Sequence, residues 1–177
     1  MEQTNPSPKR PTFLTVLCIL SFIGSGLGII MGIYHLATAG ATQTAMEMLS
    51  PMGDQIEDEM STAIDSTYES EEVRKGMDAL GGALNQAMES AAKMAKYAYV
   101  LAGVEIVSNL IVLLGALMMW KLKKTGYYAY VVGQVVGVGT PIALVGFGGI
   151  FGGVMMLFAI FPIAFIIMYG LNLKHMN

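Results

Sequence analysis

Charge is what this sequence has least of. Of 177 residues only 13% are charged, against 54% hydrophobic. A water-soluble domain carries about a quarter charged residues, so the shortage points to residence in a membrane. A net charge of −3 excludes a broad basic surface and with it a nucleic-acid partner. Cys18 is the one cysteine, which rules out an intrachain disulfide and any CxxC redox or zinc motif. The two histidines, His35 and His175, fall on opposite sides of the membrane in the topology derived below, so one protomer cannot pair them on a metal. There is no HExxH, P-loop or GxSxG pattern, and the glycine-rich 146–153 is too apolar and lacks a lysine for phosphate. No nucleophile–base pair stands out. The expectation is a protein that is not an enzyme and needs no cofactor.

What the sequence does have is long apolar runs. A spanning helix needs about 20 predominantly apolar residues, and four windows qualify: 12–37, 97–120, 127–145 and 154–173. The last two form one apolar stretch. Breaking it at Pro141 would leave the third span too short, so "GFGGIFGG" at 146–153 is the expected turn, glycine supplying the conformations of a tight reversal. Pro141 and Pro162 then lie inside helices, which a membrane bundle tolerates. The basic start and "ATA" at 37–39 resemble a signal peptide, but an apolar run of over 20 residues exceeds the usual 7 to 15 of a signal core. An uncleaved anchor is expected.

Orientation follows from lysine and arginine at the span ends. Lys9, Arg10, Lys121, Lys123, Lys124 and Lys174 all fall on one side if both termini are cytoplasmic. The opposite side holds Arg74, Lys75, Lys93 and Lys96 together with eleven of the thirteen acidic residues. Trp120, Tyr127, Tyr128 and Tyr169 are placed at the inner edge, Tyr34, Tyr97 and Tyr99 at the outer one. A bacterial inner (cytoplasmic) membrane is the expected location.

Residues 38–96 form an acidic, methionine-rich outer segment. Ser50 as cap and Pro51 in the first turn predict a helix start there, with Met52, Ile56, Met60 and Ile64 at four-residue steps. Ser66 and Glu69 fit a capping box for a second helix. Val73, Met77, Leu80, Leu84, Ala87, Ala91, Met94 and Ala98 then alternate four- and three-residue steps, a heptad seam. The expected use of this seam is a fold-back of the second helix on the first, an oligomeric coiled coil being the alternative. Thioethers can bind Cu(I), but the outer methionines follow the apolar phase without a tight cluster, so packing is their expected role and no metal is assigned.

The same count continues into the second span through Leu101, Glu105, Ser108, Val112, Gly115 and Met119. A carboxylate near a span centre costs roughly 2.5–3.5 kcal/mol on the insertion scale, while each Leu, Ile or Val returns roughly 0.3–0.6. Residues 100–117 hold eleven of these, so the span still inserts. At 1.5 Å per residue, Glu105 lies roughly 22 Å from Trp120, and Thr140 lies at a similar depth, roughly 20 Å from Tyr127. Glu105, Ser108, Asn109, Gln134 and Thr140 therefore form the expected intramembrane polar cluster, with Asn109 and Gln134 near enough in depth to meet. Such an acid marks an ion or proton pathway or a subunit contact, unless its carboxyl is satisfied locally as packing glue.

Gly24, Gly28 and Gly32, extended by Ser21, make a GxxxGxxxG row; Ala129, Gly133 and Gly137 make another. Rows of small residues let helix backbones approach closely, and the two rows are expected to pack within the bundle, serving each other, with dimerisation as the alternative. The first-span stretch "RPTFLTVLCILSFIGSGLG" and the four-span plan resemble small uncharacterised bacterial membrane proteins of the domain-of-unknown-function type, a resemblance that brings no activity and no site residues. The large first outer loop is also similar in layout to claudins, but it lacks their paired loop cysteines and nothing is carried over. The expectation is an all-α integral membrane four-helix bundle with an extracytoplasmic helical hairpin between spans 1 and 2. Its expected role is that of an accessory or scaffold subunit whose partners are the lipid bilayer and another membrane subunit or a second copy. The alternative is a small oligomeric channel or proton/ion-coupled transporter using Glu105.

Overall fold

The structure, a computed structural model, describes residues 11–67, 71–146 and 149–176. Among these residues every regular element is helical: α1 (Thr12–Thr67), α2 (Glu71–Lys96), α3 (Ala98–Trp120), α4 (Thr125–Val145), α5 (Gly149–Leu171) and a 3-10 turn at Leu173–His175. The protein is all-α over this range. Three stretches are long and apolar enough to cross a bilayer: Thr12–Gly53 within α1, Ala98–Trp120 and Thr125–Val145. Leu157–Leu171 in α5 is a shorter apolar helix.

The first departure from the sequence reading is in α1. No new helix starts at Ser50; α1 runs for 56 residues straight through Pro51. The stretch "TAGATQTAMEMLS" that joins the apolar run to Pro51 favours helix through its alanines and methionines. Its threonines do not interrupt the ladder, because the hydroxyls of Thr38, Thr42 and Thr44 donate to the carbonyls of Tyr34, Thr38 and Gly40 one turn back. Polar side chains that would otherwise favour a cap or turn are thereby used inside the helix. Pro51 removes one N–H from the ladder, and the helix is kept on both sides of it. The Ser66–Glu69 capping box lies outside the described residues.

The chain divides into two compact units. The first comprises the described parts of 1–32, 104–138 and 159–177. Its core gathers Leu14, Leu17 and Cys18 from α1, Val112 and Met119 from α3, Leu122 from the α3–α4 link, Tyr130 from α4, and Tyr169 and Met176 from the C-terminal segment. Here α3 and α4 approach backbone to backbone. A Cβ on Gly115 would come within 2.7 Å of the Tyr130 nitrogen and 2.8 Å of the Gly126 oxygen, and one on Gly133 within 3.0 Å of the Ser108 oxygen. The link between them is tight. Lys123 N–H donates to the Met118 carbonyl and Leu122 N–H to that of Met119, the paired bonds of a Schellman helix end. The residue in the left-handed position is Leu122, with φ of 60°. That conformation costs a non-glycine residue roughly 1–2 kcal/mol. Leu122 is only 9% exposed, and burying a leucine returns about 1.5–3 kcal/mol, so the site keeps its leucine.

The second unit comprises 33–103 and the described parts of 139–158. The distal part of α1 and α2 run antiparallel, since Gly40 lies against the Tyr99 hydroxyl and Gly53 against the Met88 thioether. Helical hydrogen bonding passes from α2 into α3 through Tyr97, which donates to Lys93 and accepts from Leu101. The heptad seam is not the contact face throughout. Val73, Leu80 and Leu84 are exposed, as are Met52 and Ile56 on α1. Met88 packs where α1 has only a glycine, Gly53, and these larger apolar side chains are exposed.

The α4–α5 turn is also shorter than expected. Gly146 adopts φ of +97° just past the end of α4, a conformation glycine reaches without strain, and α5 is already helical at Gly149. One residue of that kind ends a helix, so the remaining glycines of 149–153 are free to be helical. Pro141 and Pro162 lie inside α4 and α5.

Candidate functional site

Glu105 sits on α3 in a half-buried position, with Gly32 of α1 against the stem of its side chain (a Cβ on Gly32 would be 3.5 Å from Glu105 Cγ). From Glu105 inward the three-four count passes through Ser108, Val112, Gly115 and Met119, all buried. The opposite choice of residues, Val107, Leu110, Leu114 and Leu117, is exposed. The acid therefore borders the packed stripe of α3.

Three of the five expected cluster members bond within their own helices. Ser108 Oγ donates to the Glu105 backbone carbonyl at 3.1 Å, and Asn109 Nδ2 donates to the same oxygen at 2.8 Å. Gln134 Nε2 donates to the Tyr130 hydroxyl at 3.1 Å, one turn back on its own helix. Asn109 and Gln134 thus each place an amide donor on their own helix, one turn back. Thr140 belongs to the second unit and is partly buried there.

The small-residue rows behave differently from the expectation as well. Gly28 faces the Asn109 side chain and Gly32 faces Ile106, while Gly133 and Gly137 face Ser108 and Val112. Both rows pack on α3, not on each other. Gly24 has nothing within 4 Å among the described residues and is exposed.

Sequence reasoning missed a second polar group, inside the core of the first unit. Ser21 and Tyr169 share a hydrogen bond of 2.8 Å between α1 and α5, both buried. The Tyr169 ring lies 4.9 Å from that of Tyr130, whose hydroxyl holds Gln134. Ser25 donates back to Ser21 O at 2.6 Å, and Asn172 to Met168 O at 2.8 Å. Tyr169, placed by its sequence position at the inner membrane edge, is fully buried among the helices of this unit. A tyrosine near a span end reads as interfacial by composition, and a partner 148 residues away leaves no local signal. Its neighbour in that reading, Trp120, packs at 5.7 Å on Phe22.

Among the described residues no three His, Cys, Asp or Glu side chains gather where they could hold a metal. Ser21 and Tyr169 join α1 to α5 through a hydrogen bond, whereas the bonds of Ser108 and Asn109 stay within α3. No family model matches the chain, and no curated protein or solved structure does either, so the resemblance of the first span to small four-span bacterial proteins gains no support from them.

Proposed function

We propose that this protein is a non-catalytic integral membrane subunit that binds a partner through its outer helical segment. The proposed topology has four spans, in α1, α3, α4 and α5, both termini cytoplasmic, in a bacterial inner membrane. The three spanning-length helices support the first part of that plan. The fourth span rests on the 23 residues of α5 and on its packing with parts of the other three in one core. The basic residues at 121–124 support the orientation.

One observation carries the role. The outer segment leaves Met48, Leu49, Met52, Ile56, Val73, Leu80 and Leu84 exposed, Met48 by 72% and Leu80 by 59%. Exposed apolar residues on the membrane-spanning parts suit lipid, but these lie at least eleven residues past the proposed end of the first span, about 16 Å further along the helix. In water a grouped set of this kind marks an interaction surface. The channel alternative has less to draw on, because Ser108, Asn109 and Gln134 are engaged on their own helices.

The test is purification of the full chain from its own membranes in mild detergent, with mass identification of what co-elutes, alongside ion and proton flux in liposomes. A stoichiometric partner and no flux support the proposal. Flux that Glu105→Gln abolishes while assembly persists overturns it in favour of transport.

A further inference from the structure

The heptad seam of α2 has the spacing of a helix-packing face, yet Val73, Leu80 and Leu84 on it are exposed. Helical geometry says where they point. Gly53 of α1 faces Met88 of α2, and the two helices run antiparallel. At about 100° per residue, Leu49, Ile56 and Met52 are rotated from Gly53 by about −40°, −60° and −100°. Leu84, Val73 and Leu80 are rotated from Met88 by about −40°, −60° and −80°. Rotation in the same sense on antiparallel helices leads to the same flank, so the six make one apolar strip along the hairpin. Met48, at about −140°, stands at its edge. The register that pairs 53 with 88 sets Ile56 beside Leu84, and the strip runs about 10 Å along α1 and about 16 Å along α2.

The charges lie elsewhere. By the same count Glu47 and Asp58 fall at about +120° and +140° on α1, and Glu71, Asp78 and Glu89 at about +80° to +100° on α2, all on the opposite flank. Arg74, Lys75, Lys93 and Lys96 lie there too, at about +40° to +140°. Glu59, at about −120°, and Glu72, at about −160°, stand at the outer edges of the two helices. Among the described side chains none within the strip is charged. Two such strips can therefore meet face to face with their acids turned to water, so like charges do not oppose the contact.

A second copy also brings what the strip requires. Copies in one bilayer share an orientation and a height, so an identical strip arrives at the same distance from the membrane with its orientation already fixed. Fully exposed, an aliphatic side chain of this class carries roughly 100–150 Å². At the exposures found here, from 42% for Leu84 to 72% for Met48, the strip and its edge present roughly 400–550 Å² per copy. A pair covers up to roughly 1,100 Å², the size at which specific interfaces begin. We infer that the strip is the interface between two copies of this chain, related by a two-fold axis along the membrane normal. That axis sets α1 of each copy over α2 of the other, and the two hairpins close as four helices around a shared apolar core. Ile56 of one copy then lies near Leu84 of the other. This rests on the topology and the partner-binding role proposed above and names the partner.

The test is cross-linking between copies in native membranes. Copies with Ile56→Cys and copies with Leu84→Cys, each with its own affinity tag, are expressed together and treated with a short bis-maleimide. A covalent pair carrying both tags is expected. No such pair is expected from Asp58→Cys with Asp78→Cys, on the opposite flank, or from the parent, whose one thiol, Cys18, is buried. Light scattering of the full chain in mild detergent is expected to find two chains per particle. Ile56→Ser/Leu80→Ser is expected to raise the concentration of half-dissociation at least ten-fold. Both residues are exposed, and an unchanged helical circular dichroism spectrum shows that the variant is folded. Absence of the Ile56–Leu84 pair, an equal yield from the opposite flank, or a dimer that the serine variant leaves intact overturns the inference. The partner-binding role fails by a separate route. A chain that gives no cross-linked pair but co-elutes with a different protein removes the second copy and leaves the role standing; flux that Glu105→Gln abolishes removes the role itself.

Discussion

The two units of this protein bring helices together by different means. In the first, α3 and α4 touch through backbone atoms at Gly115, Gly126 and Gly133, and the side chains that fill the remaining space are buried on every helix of the core. In the second, α1 and α2 meet where a methionine tip lies on a glycine, and Met52, Ile56, Val73, Leu80 and Leu84 are exposed. Backbone against backbone has no freedom to adjust, whereas the end of a methionine has three rotatable bonds. The first unit is therefore held by contacts that cannot adjust, and the second leaves large apolar side chains exposed.

The sharpest way to break this comparison is to add one methyl group in the first unit. Gly115→Ala puts a Cβ within 3 Å of three backbone atoms of α4, and overpacking that cannot relax costs about 3 kcal/mol or more. The expected outcome is loss of the monodisperse species on size exclusion in detergent, or a melting point lowered beyond that of any other variant here. Gly24→Ala, on the same kind of small-residue row but with no neighbour within 4 Å among the described residues, is expected to melt at the parent temperature or slightly above it. Equal behaviour of the two would remove the close approach of α3 and α4 from the account.

The next effect in size comes from the Ser21–Tyr169 bond. Ser21→Ala leaves a buried phenol hydroxyl without this partner and Tyr169→Phe leaves a buried serine without it, and each is expected to cost about 1–3 kcal/mol. The double variant is expected to cost less than the two added together, because it leaves neither group wanting. Melting points of the four proteins close the cycle. Strict additivity would mean the two hydroxyls do not interact.

These two experiments also mark what could be read from the residues alone. The buried side of α3 from Ser108 to Met119 follows a three-four count that is visible in the sequence, because one face of one helix is a local property. The spanning lengths of α1, α3 and α4 are equally local. What was not legible is how helices distant in sequence choose each other. Tyr169 looks interfacial until Ser21 is placed beside it, and the two glycine rows look made for one another until both are found on α3. The helix start at Ser50 had every local mark, yet the preceding residues carry the helix through Pro51, and Leu80 and Leu84 of the expected seam are exposed. Glu105 shows both sides: its place at the border of the packed stripe was readable, whereas the local bonding of Ser108 and Asn109 to its carbonyl was not.

In the second unit the matching substitution has the opposite sign. A Cβ on Gly53 meets the thioether end of Met88, which can swing aside, and replacing glycine by alanine inside a helix gains roughly 0.5–1 kcal/mol. Gly53→Ala is expected to melt at the same temperature as the parent or slightly above it. A loss as large as that of Gly115→Ala would show that the hairpin contact is as rigid as the core, and the contrast between the units would fall.

The smallest effect sharpens the electrostatic side of the second unit. Glu89 accepts a hydrogen bond from Lys93 at 2.8 Å and feels its charge, and together these hold its carboxyl below the ordinary glutamate range. A depressed folded-state value means that the pair stabilises α2 at neutral pH and that this contribution is lost as pH falls through the folded-state value. Both side chains are well exposed, so water and salt screen the pair and the change in stability is slight. The direct readout is a carbon-13 titration of the Glu89 carboxyl in the full chain, with a midpoint below that of a free glutamate, about 4.3, and a return towards it in Lys93→Ala.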